Sequence, residues 1–156
     1  MTATGTEVGE IHGVAGPVVI ARGLTATRLY NVVEVGHAGL AGEVIRLDGP
    51  DAVIQVYEDT SGLTAGEPVT DTREPLRAEL GPGLLGSIFD GTQRPLTTLA
   101  REGENPWGNP MIRRGLSAPA LDRERSWDFE PVVGVGEPVG PGDTVGTVQE
   151  TAQFAH

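Results

Sequence analysis

The sequence predicts an all-β protein in which a small antiparallel β-barrel is followed by a second β-rich region of barrel-sandwich-like texture. Two observations indicate this fold class. Short apolar runs rich in β-branched residues recur through the first half of the chain, and turn-forming residues separate them. Between residues 131 and 148, valines alternate with small and acidic residues, which is also typical of short strands.

The first half is predicted to supply the strands of the barrel. In the run 52–57, Ile54 and Val56 alternate with Gln55, so we expect the two apolar side chains in the core and Gln55 in solvent. The turn at 48–51 should close a hairpin. Two proline-containing pieces are predicted to be short edge-like strands, because proline is kept out of central strands. The predicted strands are 11–14, 17–21, 30–35, 43–47 and 52–57, and the edge-like pieces are 67–69 and 75–76.

Changes in composition divide the chain into four predicted parts. Residues 1–9 should form a flexible arm, residues 10–80 the barrel, residues 81–96 a connector, and residues 97–156 the second β-rich region.

The connector and the segments after it carry three local predictions. Leu84, Leu85, Ile88 and Phe89 recur at helical spacing after the breaker at 81–83, which predicts one short amphipathic helix. Residues 97–111 are polar and broken by glycine and proline, so we expect a loop. Residues 119–128 have room for one helical turn, and tight turns are expected at 136–137 and 142–143.

Charge and composition exclude several classes of function. The chain has 22 acidic and 11 basic residues and a net charge of −11, whereas nucleic-acid binding depends on a basic surface. All 11 basic residues are arginine. Without lysine there is no Walker A motif, no Schiff base, and no site for attached biotin or lipoate. The absence of cysteine excludes disulfides and thiolate chemistry.

The sequence also predicts a soluble intracellular protein. The first ten residues have neither a basic segment nor an apolar run, so we expect no signal peptide. No apolar stretch approaches the ~20 residues that span a bilayer, so no membrane insertion is expected.

One glycine motif imitates a dinucleotide-binding fingerprint. Gly81, Gly83 and Gly86 fit GxGxxG, which works by offering backbone N–H groups to a pyrophosphate at the start of a long helix. Pro82 has no N–H to offer, and Asp90-Gly91 ends any helix after two turns. We therefore predict no cofactor-binding residue here.

The remaining candidate chemistry is weak. His12, His37 and His156 lie far apart, which disfavours a histidine metal site. The segment 115–119 approaches the GxSxG nucleophile elbow but ends in proline and lacks a preceding strand. A carboxylate pair could come from the acidic residues near Trp127, but they alternate with arginines as on a solvated face. Those acidic residues are Asp122, Glu124, Asp128 and Glu130. We predict no catalytic, cofactor-binding or metal-binding residue.

Several segments together resemble the N-terminal β-barrel and the bulge insertion of the catalytic A subunit of V-type and A-type rotary ATPases. The resemblance covers nearly the whole chain, and the non-catalytic B subunit and the F-type subunits share such a barrel but lack the bulge. One departure is Arg73 in Thr72-Arg73-Glu74-Pro75, where the family usually has glycine. The conformation of this turn is therefore not predicted by the resemblance. The segments are GVAGPVV at 13–19, GEVI at 42–45, IQVYEDTSG at 54–62, ELGPGLL at 79–85, IFDG at 88–91, QRPL at 93–96, RG at 114–115, PALDR at 119–123 and GTVQE at 146–150.

The resemblance implies a structural role for this chain. In the family, barrels of three A and three B subunits form a crown that holds the hexamer together, and the bulge contacts the peripheral stalk or stator. The complex transports H⁺ or Na⁺ and hydrolyses or makes ATP, and its catalytic head is cytoplasmic. Mg-ATP binds a later P-loop domain, so these 156 residues are expected to be inactive and to hold part of the bulge only. The alternative is a free-standing β-barrel binding domain with an unknown ligand.

Overall fold

A computed structural model describes residues 7–102 and 112–156. The chain divides into two compact units, and the first six strands of the described chain lie in the first unit. The first unit contains described residues 7–77 and 112–116, and the second contains residues 78–102 and 117–156.

The first unit is a closed barrel of six antiparallel strands. The strand order is β1-β2-β5-β4-β3-β6, and pairing of β1 with β6 closes the barrel. Closure leaves none of these six strands with an unpaired edge. The strands are β1 (Glu7–Ala15), β2 (Val18–Arg22), β3 (Asn31–Val35), β4 (Leu40–Asp48), β5 (Asp51–Val56) and β6 (Pro68–Pro75).

The barrel core contains the apolar side chains that the strand alternation predicts to point inward. Ile54 and Val56 are buried, and Gln55 between them is exposed, as expected. The predicted hairpin at 48–51 is confirmed, because β4 and β5 pair up to Asp48 and Asp51. The core cluster comprises Ile11, Val19, Ala21, Leu24, Val33, Val35, Leu40, Val44, Ala52, Ile54, Val56 and Val69, with Leu63 packed against it.

Two details of the barrel differ from the sequence-based prediction. Strand β1 begins at Glu7, inside the predicted arm, because Glu7–Gly9 pairs with β6. The two predicted edge-like pieces are parts of the eight-residue strand β6, which pairs with β1 and β3. Its prolines occupy the two ends of the strand, where the loss of an N–H donor is tolerated.

Three register shifts bend the sheet so that it can close. They lie between Ile11 and Gly13 in β1, between Val44 and Arg46 in β4, and between Asn31 and Val33 where β3 pairs with β6. Bulges of this kind increase the local twist of a strand.

The second unit contains one helix and a three-stranded sheet. Helix α1 (Leu96–Glu102) begins after Pro95 and buries Leu99. The sheet order is β7-β8-β9, with β7 (Phe129–Pro131), β8 (Gly146–Thr151) and β9 (Phe154–Ala155).

Two predictions about helices in this unit are wrong. Residues 84–89 form a turn at 85–86 and irregular structure without a helix, and Gly83 and Gly86 have positive φ values of 106° and 81° that a helix does not accommodate. The helix lies instead at the start of the predicted loop 97–111, and the rest of that loop, from 103 on, falls outside the described residues. Residues 119–128 form bends without the helical turn that the sequence allowed.

The predicted tight turns between β7 and β8 are confirmed, and they share one design. The backbone N–H of Glu137 donates to Gly134 O, and the Glu137 carboxylate accepts the N–H of Gly134 at 2.9 Å. Asp143 and Gly140 form the same two bonds six residues later, and the Gly140 N–H lies 2.7 Å from the Asp143 carboxylate that accepts it. Each acidic side chain therefore closes its own turn and has a structural role.

Candidate functional site

The histidines of the described chain do not assemble a metal site. His37 donates its backbone N–H to the Glu67 carboxylate at 3.1 Å, and the imidazole of His156 contacts the Glu150 carboxylate. Within residues 7–102 and 112–156, no group of three or more His, Asp or Glu residues could hold a metal ion.

The glycine motif at 81–86 has its backbone donors occupied by the chain's own carboxylate. Glu150 accepts hydrogen bonds from the N–H groups of Gly83 at 2.8 Å and Leu85 at 3.2 Å. In a dinucleotide fingerprint these donors would face a pyrophosphate at a helix start. Here they hold a turn against strand β8, so the geometry is structural.

The acidic segment near Trp127 forms local turn and surface contacts. The Asp122 carboxylate accepts the backbone N–H of Glu124 at 3.0 Å, as in an Asx-turn. Arg123 pairs with Glu79 at 2.5 Å, and the Arg125 guanidinium stacks 4.0 Å from the centroid of the Trp127 ring. These partners are typical of surface ion pairs and cation–π contacts.

An open groove of about 580 Å³ lies in the second unit. Its walls carry the hydroxyl groups of Ser87, Thr97 and Thr98 and the segment 118–124. The Ser87 hydroxyl lies 3.4 Å from Gly83 O as a hydrogen-bond donor, and no base contacts it among the described hydrogen bonds. No described hydrogen bond therefore activates the Ser87 hydroxyl as a nucleophile.

Glu67 organises the loops at one end of the barrel. One carboxylate oxygen accepts the His37 N–H, and the other accepts the N–H and hydroxyl of Thr64 at 2.8 and 3.1 Å. These hydrogen bonds, first of all that from His37, lower the pKa of Glu67. The carboxylate thus fixes the β3–β4 turn to the loop before β6.

A return segment, residues 112–116, fastens onto the same end of the barrel. The Arg114 guanidinium donates to the carbonyl oxygens of Asp59, at 3.2 Å, and Ser61. The N–H of Gly115 donates to the Glu58 carboxylate at 3.0 Å. Gly115 has φ of +73°, and a Cβ there would collide with the carbonyl oxygen of Ala38. The near-match to a nucleophile elbow at 115–119 is therefore explained by packing.

A buried polar pair lies toward the other end of β3 and β6. The side-chain amide of Asn31 donates to both carboxylate oxygens of Asp71 at 3.1 Å, and the N–H of Arg73 donates to Asp71 at 2.7 Å. Asp71 is 1% exposed and Asn31 5% exposed. Arg73 has φ of +62°, which explains why glycine suits this position and answers the question that Thr72-Arg73 raised.

Sequence reasoning did not find the Asn31–Asp71 pair or the Arg114 contacts. Both join residues that are far apart along the chain, 40 positions for the pair and 55 between Arg114 and Asp59. The one local signal was Arg73 in place of glycine. In the described residues, the candidate side chains take part in packing and surface contacts.

Two family models match the two β-rich regions of the chain. The family model described as "ATP synthase alpha/beta family, beta-barrel domain" matches residues 11–73, and "ATPsynthase alpha/beta subunit barrel-sandwich domain" matches residues 118–156. These ranges fall on the barrel and on the part of the second unit that contains β7 to β9.

Curated relatives match almost the whole chain. The A subunit numbered 2 of the A-type ATP synthase of Methanospirillum hungatei is 55% identical over 91% of this chain. The A subunit of the Haloferax volcanii A-type ATP synthase is 51% identical over 96%, and the catalytic A subunit of the V-type proton ATPase of Beta vulgaris is 49% identical over 97%. The chain spans about a quarter of the length of these relatives, which is 24%, 25% and 24% respectively.

The one helix of the described chain, α1, is seven residues long. Among the residues that the structure describes, no helix is long and apolar enough to cross a bilayer.

Proposed function

Because the chain belongs to the ATP synthase alpha/beta family, as the N-terminal region of a catalytic A subunit, we propose that it serves assembly of a rotary ATPase rather than catalysis. The observation that carries the proposal is a closed barrel at 7–75 within a chain about half identical to catalytic A subunits over nine-tenths of its length. In this role the barrel packs beside the barrels of neighbouring A and B subunits, and the second unit contacts the peripheral stalk or stator.

The closed barrel is suited to contacts made by side chains. Its six described strands leave no open edge, so neighbours meet its outer surface and its loops. That surface exposes large apolar side chains, which mark interaction sites when they are clustered. Those on the barrel strands and their loops are Val8, Val14, Leu29, Tyr30, Ile45, Leu47, Tyr57 and Leu76.

Catalysis is proposed to depend on parts of the parent protein outside these residues. A P-loop needs a lysine for the β- and γ-phosphates, and the 156 residues contain none. On this proposal Mg-ATP binds elsewhere in the parent subunit. The complex lies on the cytoplasmic side of a membrane and transports H⁺ or Na⁺ across it.

Sedimentation velocity tests the assembly role. The chain is mixed with the B subunit of the same ATPase, and we expect a complex heavier than either component. Ile54→Asp should abolish it by placing a charge in the core, while Gln55→Asp, one residue away on the exposed face, should retain it. Failure of the wild-type chain to associate would contradict the proposal and favour a free-standing binding domain.

Calorimetry with Mg-ATP tests the non-catalytic part. We expect no binding with a dissociation constant below about 100 μM, equivalent to ~5.5 kcal/mol. The full-length subunit, which would carry the P-loop, is the positive control. Tight binding by the 156-residue chain would overturn this part of the proposal.

A further inference from the structure

The barrel presents an aromatic side chain on a strained backbone. Tyr30, just before β3, has φ of +70° and its side chain is 61% exposed. Aromatic residues are rarely found at positive φ, and such strain persists where the surrounding structure enforces it, often at functional positions.

Hydrogen bonds of neighbouring residues hold the backbone of Tyr30 in this conformation. The next residue, Asn31, is locked to Asp71 by two hydrogen bonds of 3.1 Å, and the Tyr30 N–H donates to Val44 O at 2.8 Å. Arg73, also at positive φ, donates its N–H to Asp71. These hydrogen bonds fix the backbone conformation from which the Tyr30 side chain projects.

Further apolar side chains lie on the strand segments next to Tyr30. Leu29 precedes it, Ile45 follows its hydrogen-bond partner Val44, and Leu76 follows Pro75, which pairs with Asn31. Each is 40% or more exposed. We name Tyr30, Leu29, Ile45 and Leu76 the Tyr30 patch. A rigid aromatic residue with aliphatic neighbours is typical of the centre of a protein–protein interface.

Arginines are concentrated on the segments that carry the Tyr30 patch. Four of the chain's 11 arginines lie on the same segments: Arg28, Arg46, Arg73 and Arg77. Two of them form exposed ion pairs, Arg46 with Asp48 at 3.7 Å and Arg77 with Glu74 at 3.5 Å. In the described chain, no carboxylate forms an ion pair with Arg28 or Arg73. Arg28 and Arg73 therefore present guanidinium groups without a paired carboxylate beside the patch, on a chain of net charge −11.

We propose that the Tyr30 patch docks on an acidic protein surface in which carboxylates surround an apolar recess for the Tyr30 ring. The inference rests on the proposed assembly function, and there the occupant is the acidic face of a neighbouring barrel-bearing subunit. Arginine forms bidentate pairs with carboxylates, and complementary charge sets the orientation of docking. The aliphatic residues of the patch favour a protein partner over RNA, whose bases would require further exposed aromatic rings.

Binding to the B subunit, measured by calorimetry at low and high salt, tests the proposal. Tyr30→Gly should weaken binding by at least about tenfold, as for an interface anchor. Glycine adopts the positive φ freely, so the barrel should melt no earlier than the wild type. Gln55→Ala, which trims an exposed polar residue of β5, is the control and should bind normally.

A double variant tests the charge. Arg28→Glu with Arg73→Glu should weaken binding at low salt and reduce its salt dependence, because the steering charges are reversed. Arg101→Glu, on the exposed surface of α1, makes half that change elsewhere and should have little effect.

Three results would overturn the inference. If the wild type binds the B subunit and Tyr30→Gly binds equally well, the Tyr30 patch is not the docking surface, while the assembly function stands. If the wild type does not bind at all, both fail together. Binding of a fluorescent oligouridine by the wild type, lost in the arginine variant, would assign the patch to RNA instead of protein.

Discussion

Glu150 accepts a hydrogen bond from the backbone N–H of Gly83, 67 positions earlier in the chain, at 2.8 Å. The same oxygen accepts the N–H of Leu85, and the other oxygen contacts His156. Burial opposes ionisation of Glu150, but these donors prevail and lower its pKa. One carboxylate thus joins the 83–85 turn to strand β8.

Removing this carboxylate should release the turn. We expect Glu150→Ala to lower the hydrogen-exchange protection factors of the Gly83 and Leu85 amides, because both lose their acceptor. The control is Glu124→Ala, which removes an exposed carboxylate from the same unit. Unchanged protection in Glu150→Ala would show that the carboxylate does not hold the turn.

The loop 90–94 should make the stability of the second unit fall at acidic pH. Burial raises the pKa of Asp90, but hydrogen bonds from Arg94 and Thr92 outweigh it and bring the pKa from 3.8 to about 2. Because the pKa is lower in the folded state, ionised Asp90 stabilises the fold at pH values above its pKa in the unfolded chain. This contribution is lost as the pH falls from about 4 to about 2. We expect a loss on the order of 1 kcal/mol after solvent screening.

Asp90→Asn tests this pH dependence. The amide keeps an oxygen for the N–H groups of Thr92 and Arg94 but cannot ionise. In urea melts at pH 2 to 5, the variant should show a shallower fall in stability than the wild type. Parallel curves would mean that other carboxylates account for the acid sensitivity.

The core and surface of β5 should respond differently to truncation. Ile54→Ala or Val56→Ala should destabilise the barrel by roughly 1–4 kcal/mol, since each leaves a cavity in the core. Gln55→Ala should change stability by no more than about 0.5 kcal/mol, as at an exposed site. Denaturant melts measure all three, and a reversed ranking would contradict the register of β5.

The strands of the barrel were predictable because their signal is local. Alternation of Ile54, Gln55 and Val56 follows from the two-residue period of a strand, and the turn at Gly49-Pro50 needs only its own sequence. Closure of the barrel by β1 and β6 depends on pairing between distant segments. Local patterns alone do not contain that pairing.

The connector shows where local reasoning failed. Leu84, Leu85, Ile88 and Phe89 have helical spacing, yet the turn at 83–86 is held by Glu150 from the far end of the chain. Leu85 and Ile88 remain exposed, so the spacing does not reflect a buried helical face. The Tyr30 patch was hidden for the same reason, because its strain depends on the distant partner Asp71.

A glycine comparison should isolate the packing of the return segment, residues 112–116. Gly16→Ala and Gly115→Ala both place a side chain at positive φ, but only the second meets the Ala38 carbonyl. We expect Gly16→Ala to cost about 1 kcal/mol from backbone strain alone and Gly115→Ala to cost more. Urea melts measure both changes in the free energy of unfolding. Equal changes would show that the return segment can shift away from the Ala38 carbonyl without further destabilisation.

Hydrogen exchange should separate the two units of the chain. None of residues 129–156 is buried, and valines 132, 135, 139 and 145 are exposed, whereas β4 and β5 contain several core residues. A sheet that buries so little surface gains little to offset the entropy of ordering it. We therefore expect amides from Pro131 onward to exchange orders of magnitude faster than those of 43–57. The sample should be monomeric, because pairing of an open strand edge with a second copy would add protection. Equal protection in a monomer would mean that the β7–β9 sheet is as stable as the barrel and needs no further strands or partner to cover it.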